Sequence, residues 1–261
     1  MALLSVCLLN AMALGSSAAE TLSGDDLMQK AVARSKHRAA AAGQPAYTYN
    51  KVMVTEELDT AGTVKKREEK VYAARFQADS TSLRLVEVDG RPLSGAELKK
   101  QLADEAKSDR SLGPSKSGNG DRRENLLTPE LVARYSFTVA GKSFVNERMA
   151  FEITFKPKIP AETPHSLLDR FLGRVSGTIW IDAEDFEIAR AKVRLDSQVD
   201  LVGGLLGSLK AMGYTLLRTR LPDGQWFNAS SSANFEGRKL LFSTSVRTTS
   251  RYTNFRPVVL R

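Results

Sequence analysis

The feature that most limits what this chain can become is the two-residue alternation in its second half. Met149, Phe151, Ile153 and Phe155 fall on one side of an extended segment, and Ala150, Glu152, Thr154 and Lys156 fall on the other. Successive side chains of a strand point to opposite faces, so this period predicts a half-buried strand. Tyr135, Phe137 and Val139 repeat the pattern. Ala189, Ala191, Val193 and Leu195 alternate with Arg190, Lys192 and Arg194. The segments Val175–Asp182, Ala189–Leu195, Tyr214–Leu221, Trp226–Phe235 and Leu240–Tyr252 are separated by turn residues: Ala183 to Phe186, Pro222-Asp223-Gly224 and Glu236-Gly237. Strands joined in this way form antiparallel hairpins.

The first half adds a long hairpin. Tyr47, Tyr49, Lys51, Met53 and Thr55 alternate with Thr48, Asn50, Val52, Val54 and Glu56, and after Thr60-Ala61-Gly62 a second strand runs from Val64 to Phe76. A third, Leu83–Val88, ends in the turn pair Asp89-Gly90. The total is about ten antiparallel strands with a few helices between them. No parallel crossover pattern is present, which excludes a nucleotide-binding α/β sheet.

Helices are marked by their caps. Ser23 precedes Asp25 and Asp26 and an apolar stripe of Leu27, Met28, Ala31 and Val32, in a helix that runs out by Gly43, before Pro45. Ser94 with Glu97 forms a capping box for a helix carrying Leu98 and Leu102. Thr128 caps a short helix with Pro129 at its first position. Thr163-Pro164-His165 opens another, carrying Leu167, Leu168, Phe171 and Leu172. Residues 109–124 are charged and Gly/Ser-rich with almost nothing to bury, so a mobile loop is expected there.

The chain has 261 residues, enough for one substantial domain and small for two. Residues 1–19 carry no charge, run Ala2-Leu3-Leu4-Ser5-Val6-Cys7-Leu8-Leu9 and close on Gly15-Ser16-Ser17-Ala18-Ala19. That reads as the apolar core and cleavage end of a secretory signal peptide cut before Glu20, without the usual opening basic segment. A single domain, 20–261, is expected to follow. The only cysteine, Cys7, lies in that leader, so the mature chain would have no disulfide or thiolate site. Cys7 would suit lipidation poorly, since Val6 stands where a small residue is wanted. The net charge of +8 comes from 38 Lys and Arg against 30 Asp and Glu. These charges are interspersed, with no basic-aromatic groove motif. A solvated basic surface, an anionic membrane or an acidic protein partner fits them better than nucleic acid.

Catalytic signatures are missing. His37 and His165 have no ligand-spaced partner, which argues against a metal site. Asp182, Glu184 and Asp185 could serve as paired carboxylates, but they fall on a hairpin tip, where Asp is favoured for turn chemistry. The serines lie in no nucleophile elbow. No enzyme and no cofactor is expected. The apolar stretch Leu201 to Leu209, with Gly203, Gly204 and Gly207, is too short to span a bilayer. It reads as a bent strand or corner, or as a lipid-contacting lip.

Several strings then combine: Ala46-Tyr47-Thr48-Tyr49, Glu57-Leu58-Asp59 with Gly62, Leu85-Val86-Glu87 with Asp89-Gly90 and Pro92-Leu93-Ser94, Gly177-Thr178-Ile179-Trp180-Ile181-Asp182, and Tyr252 with Phe255-Arg256. Over essentially the whole mature chain this resembles a group of uncharacterised bacterial exported proteins similar to the lipoprotein-localisation-factor (LolA-like) superfamily. The resemblance implies an α+β, mainly β fold: a curved antiparallel sheet or incomplete β-barrel with helices over its open side. It also implies a periplasmic carrier of lipids or lipoprotein acyl chains. The apolar cavity candidates are Met149, Phe151, Ile153, Phe155, Ile179, Ile181, Leu240 and Phe242. The alternative is a periplasmic sensor or scaffold that binds a protein partner through a basic face and the 109–124 loop. An enzyme acting through Asp182, Glu184 and Asp185 ranks last.

Overall fold

The alternating segments assemble into one antiparallel sheet. The computed structural model describes residues 22–40, 46–77, 80–100, 127–158, 166–201, 207–239 and 242–258. The expected leader with Cys7, the 109–124 loop, His165 and Leu240 lie outside them. The strands are β1 (Tyr47–Leu58), β2 (Val64–Gln77), β3 (Ser80–Val88), β4 (Arg91–Pro92), β5 (Tyr135–Val145), β6 (Arg148–Pro157), β7 (Val175–Asp182), β8 (Ile188–Leu195), β9 (Val199–Leu201), β10 (Gly207–Arg220), β11 (Trp226–Lys239) and β12 (Phe242–Pro257). Their order is β4-β3-β2-β1-β12-β11-β10-β8-β7-β6-β5, with β9 also paired to β10. The curved sheet is open, with β4 at one end of this order and β5 at the other, so it is not a closed barrel.

Among the described residues the sheet has twelve strands, where about ten were expected, because β4 and β9 are too short to carry an alternation of their own. Only the ends of the Leu201 to Leu209 stretch are among the described residues: Val199, Asp200 and Leu201 of β9 pair with Leu209, Ser208 and Gly207 of β10, and residues 202–206 lie outside them. The expected turn at Glu236-Gly237 does not form; β11 continues through it to Lys239. The reason is a close approach. A Cβ on Gly237 would stand 2.5 Å from the Ser208 carbonyl oxygen, beside an irregularity in β10 between Leu209 and Ala211. Glycine there admits the neighbouring backbone instead of bending the chain.

Helix α1 (Gly24–Ala40) begins as expected. Asp26 N–H donates to Ser23 Oγ at 3.1 Å, and Ser23 N–H donates back to Asp26 Oδ2 at 3.1 Å, an Asp version of the capping box. Thr128 accepts from Leu131 N–H at the head of the helix Pro129–Ala133. The helix Leu167–Leu172 is capped by Ser166, which accepts from Asp169 N–H; the expected start at Thr163 lies outside the described residues. Residues 95–100 are helical, and Ser94 and Glu97 exchange the predicted bonds at 2.7 and 3.3 Å.

Apolar packing is divided among several clusters. Leu27, Met28 and Ala31 of α1 sit on Ile153 and Ile181, with Phe137, Phe151, Ile179 and Phe186 around them. At the other end of the path, Phe227 is enclosed by Tyr47, Tyr49 and Phe76, ring centroids 5.0, 5.9 and 5.6 Å away, with Phe255 at 5.1 Å.

Candidate functional site: the apolar inner face of the sheet

Residues directly opposite one another in antiparallel strands share a face, so the register assigns every side chain to the side carrying α1 or to the other. On the α1 side, one cross-strand row reads Ile153 (β6), Ile179 (β7), Ala191 (β8), Leu216 (β10), Ser231 (β11), Ser250 (β12) and Met53 (β1). A second row reads Phe137, Phe155, Gly177, Val193, Tyr214 and Ala233. The opposite side carries Thr154, Thr178, Lys192, Thr215, Ser232, Thr249 and Val54 in one row. The two inner rows are mainly apolar, interrupted by Ser231 and Ser250, whereas this outer row is mainly hydroxylic; the next outer row, Glu152, Trp180, Arg190 and Leu217, carries buried Trp180, which packs with Val145, Ala150, Ala189 and Trp226.

The seven-strand inner row spans about 29 Å at ordinary strand spacing. Helix α1 seals the β6–β7 part of it: Ile153 and Ile181 are fully buried. Ile179 packs at the edge of that cluster and is half-buried; farther along, Leu216 and Met53 stay half-buried, as do Tyr214, Val193 and Ala233 in the neighbouring row. Phe155 lies across Gly177, its ring 2.9 Å from where a Cβ would stand. A Cβ there would also stand 2.0 Å from the Lys192 carbonyl oxygen, so a side chain at 177 would force the β7 and β8 backbones apart.

These positions sort the sequence-derived candidates. Phe151, Phe155 and Ile179 are half-buried on the inner face. Ile153 and Ile181 form the seat of α1. Met149, 39 % exposed, sits at the β5–β6 hairpin end opposite Phe144, which is 70 % exposed. Phe242 opens β12 opposite Lys239, and Leu240 is outside the described residues. Met53, Val193, Tyr214 and Leu216 share these rows but were not among the candidates; the pairing of β8 with β7 was expected from the hairpin, whereas the pairings of β8 with β10 and of β1 with β12 were not.

One end of the sheet is held by ion pairs. Buried Asp182 accepts from Arg148 Nε at 2.7 Å and Nη2 at 2.9 Å. It also accepts from the backbone N–H groups of Glu184 and Asp185 at 3.1 and 2.8 Å. Burial alone would push its carboxyl up, but the Arg148 and backbone donors outweigh this and hold it below the usual carboxylate range. Asp185 accepts from Arg220 Nε at 2.7 Å and Trp226 Nε1 at 2.8 Å. Glu184 is exposed and pairs with Arg148 at 2.9 Å. Each carboxylate of the tempting acidic cluster thus has a structural partner. Asp182→Asn should cost about 2 kcal/mol, the scale of a lost hydrogen bond to a charged group. Glu184→Ala should stay within about 0.5 kcal/mol. Urea unfolding of the two variants checks the contrast. Because the folded Asp182 carboxyl lies below its unfolded value, its contribution is complete above that value and fades as pH falls through the folded one.

A second ionic group joins α1 to the sheet. Glu187, 4 % exposed, accepts from Arg38 Nη1 at 2.7 and 2.6 Å and from Arg218 Nη1 at 2.9 Å. Arg218 is itself buried and donates to the carbonyls of Ile188 and Trp226, both at 3.1 Å. Arg34 Nε stands 3.7 Å from Glu187 Oε1. Burial would raise the Glu187 carboxyl, but the charges of Arg218 and Arg38 prevail and lower it. Among the described residues no group of three or more His, Cys, Asp or Glu side chains could hold a metal ion, and no helix is long and apolar enough to cross a membrane.

The sequence matches no family model and no curated protein. Among solved structures the chain is similar to a DUF1329 family protein from Desulfovibrio piger, 14% identical over 92% of this chain and 95% of that one, with a TM-score of 0.36. It is similar to a LolA superfamily protein from Nitrosomonas europaea, 12% identical over 92% and 96%, with a TM-score of 0.28. It is also similar to the Mycobacterium tuberculosis lipoprotein LppX, 13% identical over 90% and 98%, again with a TM-score of 0.28. The fold described above rests on the strand register alone.

Proposed function

We propose that the protein is an exported, periplasmic binding protein that carries lipids or the acyl chains of lipoproteins on the inner face of its sheet, without catalysis. The observation that carries this reading is the half-buried apolar run Ile179, Ala191 and Leu216 next to the seat of α1, with Met53 in the same row beyond Ser231 and Ser250. Removing a chain from water there is favourable by about 0.8 kcal/mol per methylene. A carrier built this way needs neither nucleotide nor catalytic residue. The mature chain would have to cross an aqueous compartment with its cargo, which agrees with the leader read in residues 1–19.

Native mass spectrometry of the full chain exported to a bacterial periplasm, followed by solvent extraction, tests this. Acyl species at near-stoichiometric amounts are expected. A clean apo mass, with no uptake of a hydrophobic dye, would overturn it and favour a scaffold that binds an acidic protein through the outer-face cations. Leu216→Glu places a charge in the middle of the inner row and should reduce retained lipid at least about tenfold, the effect of roughly 1.4 kcal/mol. Phe144→Ser, at the exposed hairpin end, should leave retention unchanged.

A further inference from the structure

The outer face, away from α1, holds an open cavity of about 360 Å³. Its lining comes mostly from two adjacent outer rows. Val54, Thr249, Ser232 and Thr215 belong to one, and Val52, Arg251 and Ser230 to the other. The hollow exists because serine, threonine and valine fill these positions, whereas Leu217, Arg190 and Trp180 continue the second row beyond Ser230. Acyl binding on the inner face leaves this cavity without a role.

The four strands beneath it, β1, β12, β11 and β10, are paired on both sides. Their backbone donors and acceptors are used by the ladder, so a ligand here must be recognised by side chains. Thr215, Ser230 and Ser232 are half-buried. Among the described residues, their hydroxyls and that of Thr249 have no hydrogen-bond partner, and Arg251 has no acid. The acids at adjoining positions of this face are taken. Glu56 accepts from Arg247 Nε at 2.7 Å, and Glu69, opposite Val54, accepts from Arg67 Nη2 at 2.6 Å. Serine and threonine hydroxyls both donate and accept, as sugar hydroxyls do. Val52 and Val54 offer apolar surface to the C–H groups of a sugar ring. A planar guanidinium takes a carboxylate through paired donors. The volume falls within the range of small-molecule sites, about 300–1,000 Å³.

From this arrangement we infer that the outer-face cavity binds a short carboxylated saccharide. Its carboxylate is held by Arg251, and its hydroxyls by Thr215, Ser230, Ser232 and Thr249. The site is separate from the inner face and stands or falls independently of acyl binding.

Titrating the full chain with digalacturonate, the neutral disaccharide of galactose, and acetate tests it. Digalacturonate should bind at least about tenfold more tightly than either, the scale of one charge-assisted hydrogen bond. Arg251→Gln should abolish that preference while leaving the neutral disaccharide unchanged, and Arg251→Lys should keep part of it. Ser232→Phe fills the hollow with a residue that strands favour. It should abolish binding of both disaccharides without lowering the melting temperature or the retained lipid. Equal wild-type affinities for the two disaccharides would overturn the carboxylate assignment. Acetate binding as tightly as digalacturonate would show a free-anion site and refute the saccharide. Failure of both disaccharides to bind, or undiminished binding by Ser232→Phe, would overturn the site and leave acyl binding standing. A structural role for Arg251 would weaken both disaccharides together, and that result also refutes the assignment.

Discussion

Glu187→Ala should lower the unfolding free energy by about 3–5 kcal/mol, the usual loss when one member of a buried ion pair is removed. The variant leaves Arg218 buried with its charge uncompensated, and it deprives Arg38 of the carboxylate that ties α1 to the sheet. Burial drives the Arg218 guanidinium down from its ordinary value, while Glu187 pulls it back up. Without that carboxylate the charged arginine must draw in water or shift the helix. Urea unfolding followed by circular dichroism gives the size of the effect, and a loss below about 1 kcal/mol would show that the pair contributes little. The pH dependence gives an independent check. The folded Glu187 carboxyl lies below its unfolded value of about 4.3. Its stabilisation is therefore complete above that pH and is lost as pH falls through the folded value. The alanine variant should lack this part of the acid transition.

Phe227→Ala should cost about 3–5 kcal/mol. Phe227 is 1% exposed and lies among Tyr47, Tyr49, Phe76 and Phe255. Its loss removes transfer free energy and leaves a cavity whose walls belong to β1, β2, β11 and β12. Four large aromatic rings held on separate strands cannot all collapse into that gap, so the surroundings relax only partly. Phe144→Ala removes the same ring from a site 70% exposed and should change stability by less than about 0.5 kcal/mol. Thermal unfolding of the pair distinguishes a packed aromatic core from a merely apolar sequence. Equal melting temperatures would refute the former.

Much of this architecture could be read residue by residue. The pairs Thr128–Leu131 and Ser94–Glu97 stand where the caps were expected, and Asp89 and Gly90 adopt the positive φ of 48° and 76° expected of a turn pair. Both signals depend on side chains within a few positions of one another. Glu236-Gly237 misled because a glycine after a polar residue reads as a turn whether it bends the chain or admits a neighbouring strand. Only the approach of Ser208 distinguishes the two. Likewise, the candidate cavity residues of β6 and β7 were found from alternation, whereas Leu216 and Met53 complete the row through the pairing of β8 with β10 and of β1 with β12.

The sequence by itself determined the longer strands and the caps at Ser23, Ser94 and Thr128, since period and capping are properties of near neighbours. The tertiary structure decided which strands touch, that the sheet stays open, and that α1 turns two arginines toward Glu187. Arg38 and Glu187 are 149 positions apart, and Arg218 and Glu187 are 31 apart. No local pattern links charges over such separations. They meet because antiparallel pairing brings the β7–β8 hairpin end beside β10, where low polarity makes an unpaired charge costly and a shared carboxylate decisive.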